Sequence, residues 1–165
     1  MHIVILGLLS DTHGNADMAI KAVHLLLEKG ASYFVHCGDV GSNEVLDALA
    51  GHEAVFVLGN TDWERFELNR YAESIGITRG DDLYQWEADG RRLAVTHGDD
   101  DIAVNRILKE QKTDFLFMGH SHVPRDEQIG LVRVINPGAL YRAAIKTVAT
   151  LDLQTDVLQF FTVLP

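Results

Sequence analysis

Apolar residues fall along this chain in short runs, each closed by a small or polar residue. Short apolar runs bounded by turn residues read as buried strands, whereas apolar positions three and four apart read as helices. The first run, residues 2–9, predicts a buried strand that opens into Asp11-Thr12-His13-Gly14-Asn15. Asn15 suits the N-cap of a helix whose apolar face would be Ala16, Ile20, Val23 and Leu27, with Gly30 as its stop. Tyr33 to Val35 predicts a second strand, which leads to Cys37-Gly38-Asp39, then a short helix from about Ser42 with Val45, Leu46 and Leu49 apolar. Ala54 to Leu58 predicts a third strand, ended by Gly59-Asn60-Thr61-Asp62, and Trp63 to Ala72 predicts a helix.

Further along, Asp89-Gly90 separates Leu83-Tyr84-Gln85-Trp86 from Leu93-Ala94-Val95, which is a hairpin signal. Its second arm ends at Thr96-His97-Gly98, and Asp99 to about Lys112 reads as a helix with Ile102, Ile107 and Leu108 inward. Strands follow at Phe115 to Met118, Val132 to Ile135, Thr147 to Leu153 and Val157 to Val163. Strand and helix alternate in the first half, and the second half reads as mostly antiparallel. The expected fold is α/β, a four-layer sandwich of two mixed β-sheets flanked by helices. No linker, repeat or low-complexity stretch divides residues 1–165, so one domain is expected.

Five of these apolar runs end in residues that bind hard or borderline cations: Asp11 with His13, Asp39, Asn60, His97, and His120 with His122. Ligands collect outside the carboxyl ends of strands in open α/β sheets, so five such loops would meet at one edge. Any one of these residues alone reads as a turn former or a core histidine. Together they offer carboxylate, amide and imidazole donors without a thiolate, a set suited to Mn²⁺, Fe, Co²⁺, Ni²⁺ or Zn²⁺. Seven donors exceed what one tetrahedral ion needs and suit two ions that share a bridge. If residues 120–122 were locally extended, His120 and His122 would project to the same side.

The segments Ser10-Asp11-Thr12-His13-Gly14-Asn15, Gly38-Asp39, Gly59-Asn60, His97-Gly98 and Gly119-His120-Ser121-His122 stand in an order that resembles the calcineurin-like metallophosphoesterases. The short chain and Asn136-Pro137-Gly138 resemble the small bacterial and archaeal phosphodiesterase subgroup, which also includes the retromer scaffold subunit. The resemblance implies one metal on Asp11, His13, Asp39 and His122 and a second on Asp39, Asn60, His97 and His120, with Asp39 bridging. It implies two divalent ions, manganese first, and hydrolysis of a small phosphodiester by a metal-bridging hydroxide. Asp39, Asn60, His97 and His120 would be the catalytic set, with Asn60 also donating its amide N–H to a phosphate oxygen. Phosphomonoester hydrolysis on the same site and a non-catalytic binding scaffold are the alternatives.

Three positions depart from that pattern. Thr61 stands where many relatives carry the His that protonates the leaving group, although the small subgroup often has Cys there. Asp99 follows His97-Gly98 in place of a second His, and Ala139 follows Asn136-Pro137-Gly138 in place of Ser. These changes are expected to tune substrate choice and leave metal binding intact.

Composition narrows the partners. A formal charge of −10 and no basic cluster larger than Arg91-Arg92 weigh against long nucleic acid and favour a small phosphoester substrate. Cys37 is the only cysteine, which excludes an intramolecular disulfide and suits a cytoplasmic location. The N-terminal apolar run lacks a basic flank and is too short to cross a membrane. No P-loop and no Gly-x-Ser-x-Gly elbow occurs, which removes two other hydrolase classes.

Several residues carry blander readings. His2, His24, His36 and His52 are expected to be structural or at the surface, with His36 orienting the Asp39 loop. Asp99-Asp100-Asp101 is expected to cap its helix, and Cys37 to be buried. Trp63, Phe66 and Tyr71, with Arg65 and Arg70, suit a half-buried amphipathic helix better than a nucleotide-base site. Phe160, Phe161 and Val163 suit a homo-oligomer face and a core strand equally.

Overall fold

Two mixed sheets lie face to face in the computed structural model, which describes residues 4–165. Residues 1–3, which include His2 and the expected start of the first strand, lie outside the described residues. The first half of the chain forms β1 (Ile5–Leu9), α1 (Ala16–Glu28), β2 (Tyr33–His36), α2 (Asn43–Asp47), β3 (Glu53–Phe56), α3 (Arg65–Ser74) and β4 (Thr78–Arg79). The hairpin β5 (Leu83–Ala88) and β6 (Arg91–Thr96) precedes α4 (Asp101–Glu110) and β7 (Phe115–Phe117). The remainder is β8 (Arg125–Ile129), β9 (Val132–Asn136), β10 (Thr147–Asp152) and β11 (Leu158–Thr162).

The six-stranded sheet has the order β11-β10-β1-β2-β3-β4, with β1 to β4 parallel. The five-stranded sheet has the order β5-β6-β7-β9-β8, and its central β6, β7 and β9 are also parallel. Four of the six pairings that involve second-half strands are antiparallel, as the run pattern suggested, and the two parallel ones both involve β7. Parallel partners need crossovers, and α4 and β8 supply them.

Alternation along the strands builds the layers. Leu6, Leu8, Val35, Val55 and Val57 face Leu93, Val95, Phe115, Phe117 and Ile135 across the sheets, forming the central core. Their neighbours Leu9, Phe34, Ala54 and Phe56 face α1, α2 and α3. On the far side Ala94, Leu116 and Val134 pack under Ile107 of α4. Both faces of the central strands are thus covered, which is why those strands read as continuous apolar runs. The order is helices, sheet, sheet, helix, the four layers expected.

Local details follow chemistry visible in the chain. Asn15 caps α1 by accepting the Met18 N–H at 3.2 Å, and Gly30 at φ 88° ends it. Asp100 caps α4 by accepting the N–H groups of Ile102 and Ala103. Asp89 and Gly90, at φ 48° and 72°, close the β5–β6 hairpin.

Some expectations fail. The buried face of α1 is Met18, Ala19, Ala22, Val23 and Leu26, and Ile20 and Leu27 are exposed. Alanines let the helix sit close to the sheet, so the large apolar residues at its flanks do not mark the buried stripe. Ile102 is likewise exposed. Trp63 and Phe66 are 83% and 77% exposed, so the helix after Asn60 buries Leu68, Asn69 and Ala72 instead. β4 and β8 were not expected: β4 is very short, and Arg-Asp-Glu-Gln-Ile in β8 lacks apolar alternation, as suits a charged sheet edge. Of the C-terminal trio, Val163 is buried, Phe161 packs on the helix-side core, and Phe160 is partly exposed on edge strand β11.

Phe117 is fully buried between the sheets. Phe117→Ala is expected to cost about 3–5 kcal/mol, read as a lower urea midpoint at unchanged slope.

Candidate metal centre

The loops after β1, β2, β3, β6 and β7 meet at one edge of the sandwich and bring the seven expected ligand residues together. Asp11, Asp39 and His97 form its floor, at 0%, 3% and 1% exposure. Their donor atoms all lie within 4.8 Å of one another, and so do those of Asp11, His13 and His122. His122 Nε2 stands 3.1 Å from Asp11 Oδ1, and His13 Nε2 stands 3.4 Å from Asp39 Oδ2. Across the site His97 Nε2 is 3.3 Å from the same Asp39 Oδ2 and 3.1 Å from Asn60 Oδ1. The His120 ring lies 5.2 Å from that of His97. Asp39 Oδ2 therefore stands between two groups of donors. Asn60 and His120 are exposed and form the mouth.

The backbone that achieves this is unusual. Asp11, His13, Asp39, His120 and His122 take φ of 54°, 45°, 55°, 65° and 60°. Left-handed backbone costs a non-glycine residue about 1–2 kcal/mol, least for Asp, Asn and His. The expected extended geometry of residues 120–122 is thus corrected: both histidines are left-handed, and their rings diverge, His122 toward Asp11 and His120 toward His97. Three of the glycines before ligands are required by close approach: a side chain at Gly38 would collide with the His97 ring. A side chain at Gly59 would collide with the Asp39 carboxylate, and one at Gly119 with Ser10 Oγ and the Asp11 carboxylate.

Neighbours fix the orientation of each donor. Thr61 donates its N–H to Asp39 Oδ1 at 3.0 Å, and its hydroxyl lies 3.3 Å from His13 Nδ1. His97 Nδ1 lies 2.8 Å from the Cys37 carbonyl, so Nδ1–H donates there and Nε2 faces the site. Asp11 Oδ2 accepts from Ser10 Oγ at 2.6 Å and from the His120 N–H at 3.2 Å.

Three further residues support the site, and two of them were not singled out from the sequence. Buried Asp62 accepts the N–H groups of Val40, Gly41 and Gly59, pinning the Asp39 loop to the Asn60 loop. Buried Asn136 donates to the Gly119 carbonyl and to Ser121 Oγ, holding the loop of the paired histidines. Tyr141 sets its ring 5.2 Å from that of His13. The Asn136-Pro137-Gly138 motif pointed to the second; Asp62 and Tyr141 carried no signal beyond nearness to a motif or chain order.

His36, His24, His52 and Cys37 fall where the blander readings put them, whereas Trp63 and Phe66 do not. His36 accepts the Gly38 N–H on Nδ1, which leaves Nε2–H to donate to Thr12 Oγ1 at 2.9 Å, so it orients the Asp39 loop. Burial and the neighbouring His97 and His13 hold it neutral, down to about 3, against the pull of Asp39. His24 is exposed, and His52 packs its ring 5.3 Å from Phe34. Cys37 is fully buried, and burial followed by the Asp11 charge pushes its thiol up. Ala139 is fully buried, so the departure there does not face a substrate.

The electrostatics ask for a cation. Burial pushes the Asp11 carboxyl up, partly offset by Ser10, His97 and His122. Burial would also raise Asp39, but the His97 hydrogen bond and the Thr61 N–H outweigh it and hold that carboxyl well below the usual range. His97 is opposed by its own burial, yet its hydrogen bonds to Asp39 and Cys37 and the two carboxylate charges raise it to about 9. Even so, Asp11 Oδ1 and His13 Nε2 are buried without a hydrogen-bond partner, and both belong to the Asp11–His13–His122 triad. Unpartnered buried donors of this kind, with oxygen and nitrogen but no sulfur, fit divalent metal ions.

Residues 1–156 match the calcineurin-like phosphoesterase superfamily domain. The chain belongs to that superfamily. This phosphoesterase domain is 29% identical over 154 residues to a phosphodiesterase of Methanocaldococcus jannaschii, covering 90% of this chain and 93% of that one. It is 26% identical over 149 residues to the phosphodiesterase YfcE of Escherichia coli, covering 79% and 76% of the two. Among solved structures, a novel archaeal phosphodiesterase superposes with a TM-score of 0.88 at 27% identity, covering 96% and 99%. Vps29 of Chaetomium thermophilum shares the fold, with a TM-score of 0.71 at 13% identity, covering 96% and 94%. No helix among the described residues is long and apolar enough to cross a membrane.

In the metal-free domain His97 contributes stability that is complete below its ordinary value of 6.5 and is lost as pH rises through about 9. A metal on His97 Nε2 must displace that proton. Binding of Mn²⁺ at pH 7.5 is therefore expected to release protons and to tighten as pH rises toward 9. Titration calorimetry in two buffers of different ionisation enthalpy reads this; the same heat in both would contradict it.

Proposed function

We propose that this domain is a two-metal phosphodiesterase acting on a small phosphodiester. The observation that carries the reading is the position of Asp39 Oδ2, between His13 Nε2 at 3.4 Å and His97 Nε2 at 3.3 Å, with the other donors divided on either side. One ion would rest on Asp11, His13, Asp39 and His122, and the other on Asp39, Asn60, His97 and His120. Manganese is our first choice; zinc, iron, cobalt and nickel suit the same donors. Two ions held there would supply a hydroxide nucleophile at neutral pH and neutralise charge on the phosphoryl oxygens.

The protein's own groups do the rest. Asn60 turns Oδ1 toward His97, which leaves its amide N–H groups at the exposed mouth for a phosphate oxygen. His120 lies at the same mouth, against His97. Thr61 is no proton donor for a leaving group; its two hydrogen bonds serve Asp39 and His13. Esters whose leaving groups depart without protonation are then the best substrates.

Two relatives named as phosphodiesterases support the diester over the monoester. A formal charge of −10, with Arg91 and Arg92 paired to Asp156 and Asp114, favours a small substrate over long nucleic acid. A single buried thiol suits the cytoplasm. The second reading, a binding scaffold without catalysis, is favoured by the Vps29 neighbour, because the fold alone does not select for chemistry.

The test is hydrolysis of bis-p-nitrophenyl phosphate by chelator-stripped protein, with and without Mn²⁺. Activity is expected to return with metal and to fall by roughly 100-fold or more in Asp39→Asn. Inactivity with every divalent metal would leave the scaffold reading. On alkyl phosphodiesters, whose leaving groups are poor, Thr61→His is expected to raise turnover by roughly 100-fold. Unchanged turnover on those esters would remove the missing proton donor as the explanation.

A further inference from the structure

The segment after β9 returns to the metal loops and carries a cation with it. The Leu140 N–H donates to the Ser10 carbonyl at 3.2 Å, and Ala139 and Leu140 are fully buried. This anchor ties the segment to the residue whose hydroxyl holds Asp11. Tyr141 follows with its ring centroid 5.2 Å from that of His13, and the Arg142 guanidinium lies 5.2 Å above the Tyr141 ring. Guanidinium, phenol and imidazole thus lie in successive contact beside the metal centre.

Two further observations together separate Arg142 from an ordinary surface arginine. Six of the nine arginines hold a carboxylate within ion-pair distance, and Arg142, like Arg70 and Arg106, has none among the described residues. Arg142 also takes φ 50°, in the left-handed region that five of the seven ligand positions occupy, and it is the one arginine there among the described residues. An arginine has no local hydrogen bond to offset that backbone, unlike Asp or Asn. The strained segment keeps an unpaired cation at the rim of a site in a chain of formal charge −10.

We propose that Arg142, stacked on Tyr141, is the anion-binding arm of this site, donating its guanidinium N–H groups to an oxygen of the substrate's phosphate. The proposal rests on the phosphoesterase reading above and adds to it the group that recognises the phosphate monoanion of a diester. A planar guanidinium held against an aromatic face is already oriented, so it loses little freedom when it binds phosphate. Metal binding does not depend on it, because Arg142 lies outside the donor set.

The experiment compares wild type, Arg142→Ala and Arg142→Lys as Mn²⁺-loaded proteins of verified metal content. With bis-p-nitrophenyl phosphate, Arg142→Ala is expected to raise KM about five- to tenfold at nearly constant kcat, and Arg142→Lys to recover part of the loss. In parallel, calorimetric titration with inorganic phosphate is expected to show binding weakened by about the same factor in Arg142→Ala. Unchanged KM and phosphate affinity would overturn the arm, and so would loss of bound metal accompanying any change. If wild type does not hydrolyse the diester, the functional reading fails by itself and the phosphate titration alone decides on Arg142.

Discussion

Two carboxylates, Asp11 and Asp39, are buried side by side at the ends of neighbouring parallel strands, and much of the surrounding structure answers that fact. A buried charge costs several kcal/mol unless hydrogen bonds or opposite charge compensate it. Asp39 finds the Thr61 N–H and His97; Asp11 finds Ser10, the His120 N–H and His122. These contacts fix five loops against one another. They remain incomplete, since Asp11 Oδ1 and His13 Nε2 find no hydrogen bond among the described residues, and a bound cation is the natural completion. The site's demand for positive charge and the family's dependence on metal are the same physical requirement seen from two sides.

The sandwich is what makes such loops tolerable. Left-handed backbone at five ligand positions opposes folding locally, and it persists because the strands before the loops are covered on both faces. Asp62 ties the backbone of the Asp39 loop to that of the Asn60 loop, and Asn136 ties the loop of His120 and His122 to the end of β9. The division is consistent: apolar layers set where the strands end, buried hydrogen bonds set how the loops turn, and of the candidate ligands Asn60 and His120 are the most exposed. A fold shared with Vps29 at 13% identity fits this division, because the layers do not depend on which side chains line the mouth.

The charge distribution follows a related logic. Most arginines are spent on pairing with exposed aspartates and glutamates across sheet edges, where such pairs contribute little to stability but limit stray interactions. Near the metal centre the positive side chains are histidines, whose charge is conditional, and Arg142, whose charge is not.

Much of this was legible in the sequence. Buried strands declare themselves as apolar runs, caps such as Asn15 and Asp100 act through their nearest neighbours, and Asp89-Gly90 closes its hairpin with dihedrals those residues favour. The seven candidate ligand residues could be picked out for the same reason, since each lies in the turn after an apolar run. Contacts between distant segments were not. Nothing local tells that Met18 and Ala22 rather than Ile20 face the sheet, that charged β8 pairs with β9, or that Trp63 and Phe66 stay exposed. The left-handed turns at His120 and His122, the three N–H groups gathered by Asp62, and the approach of Tyr141 to His13 depend on segments far apart in the chain. The sequence by itself determined the elements and the donors, because periodicity and capping are properties of neighbours. The geometry of the donors belonged to tertiary structure, because only packing brings separate loops within hydrogen-bond range.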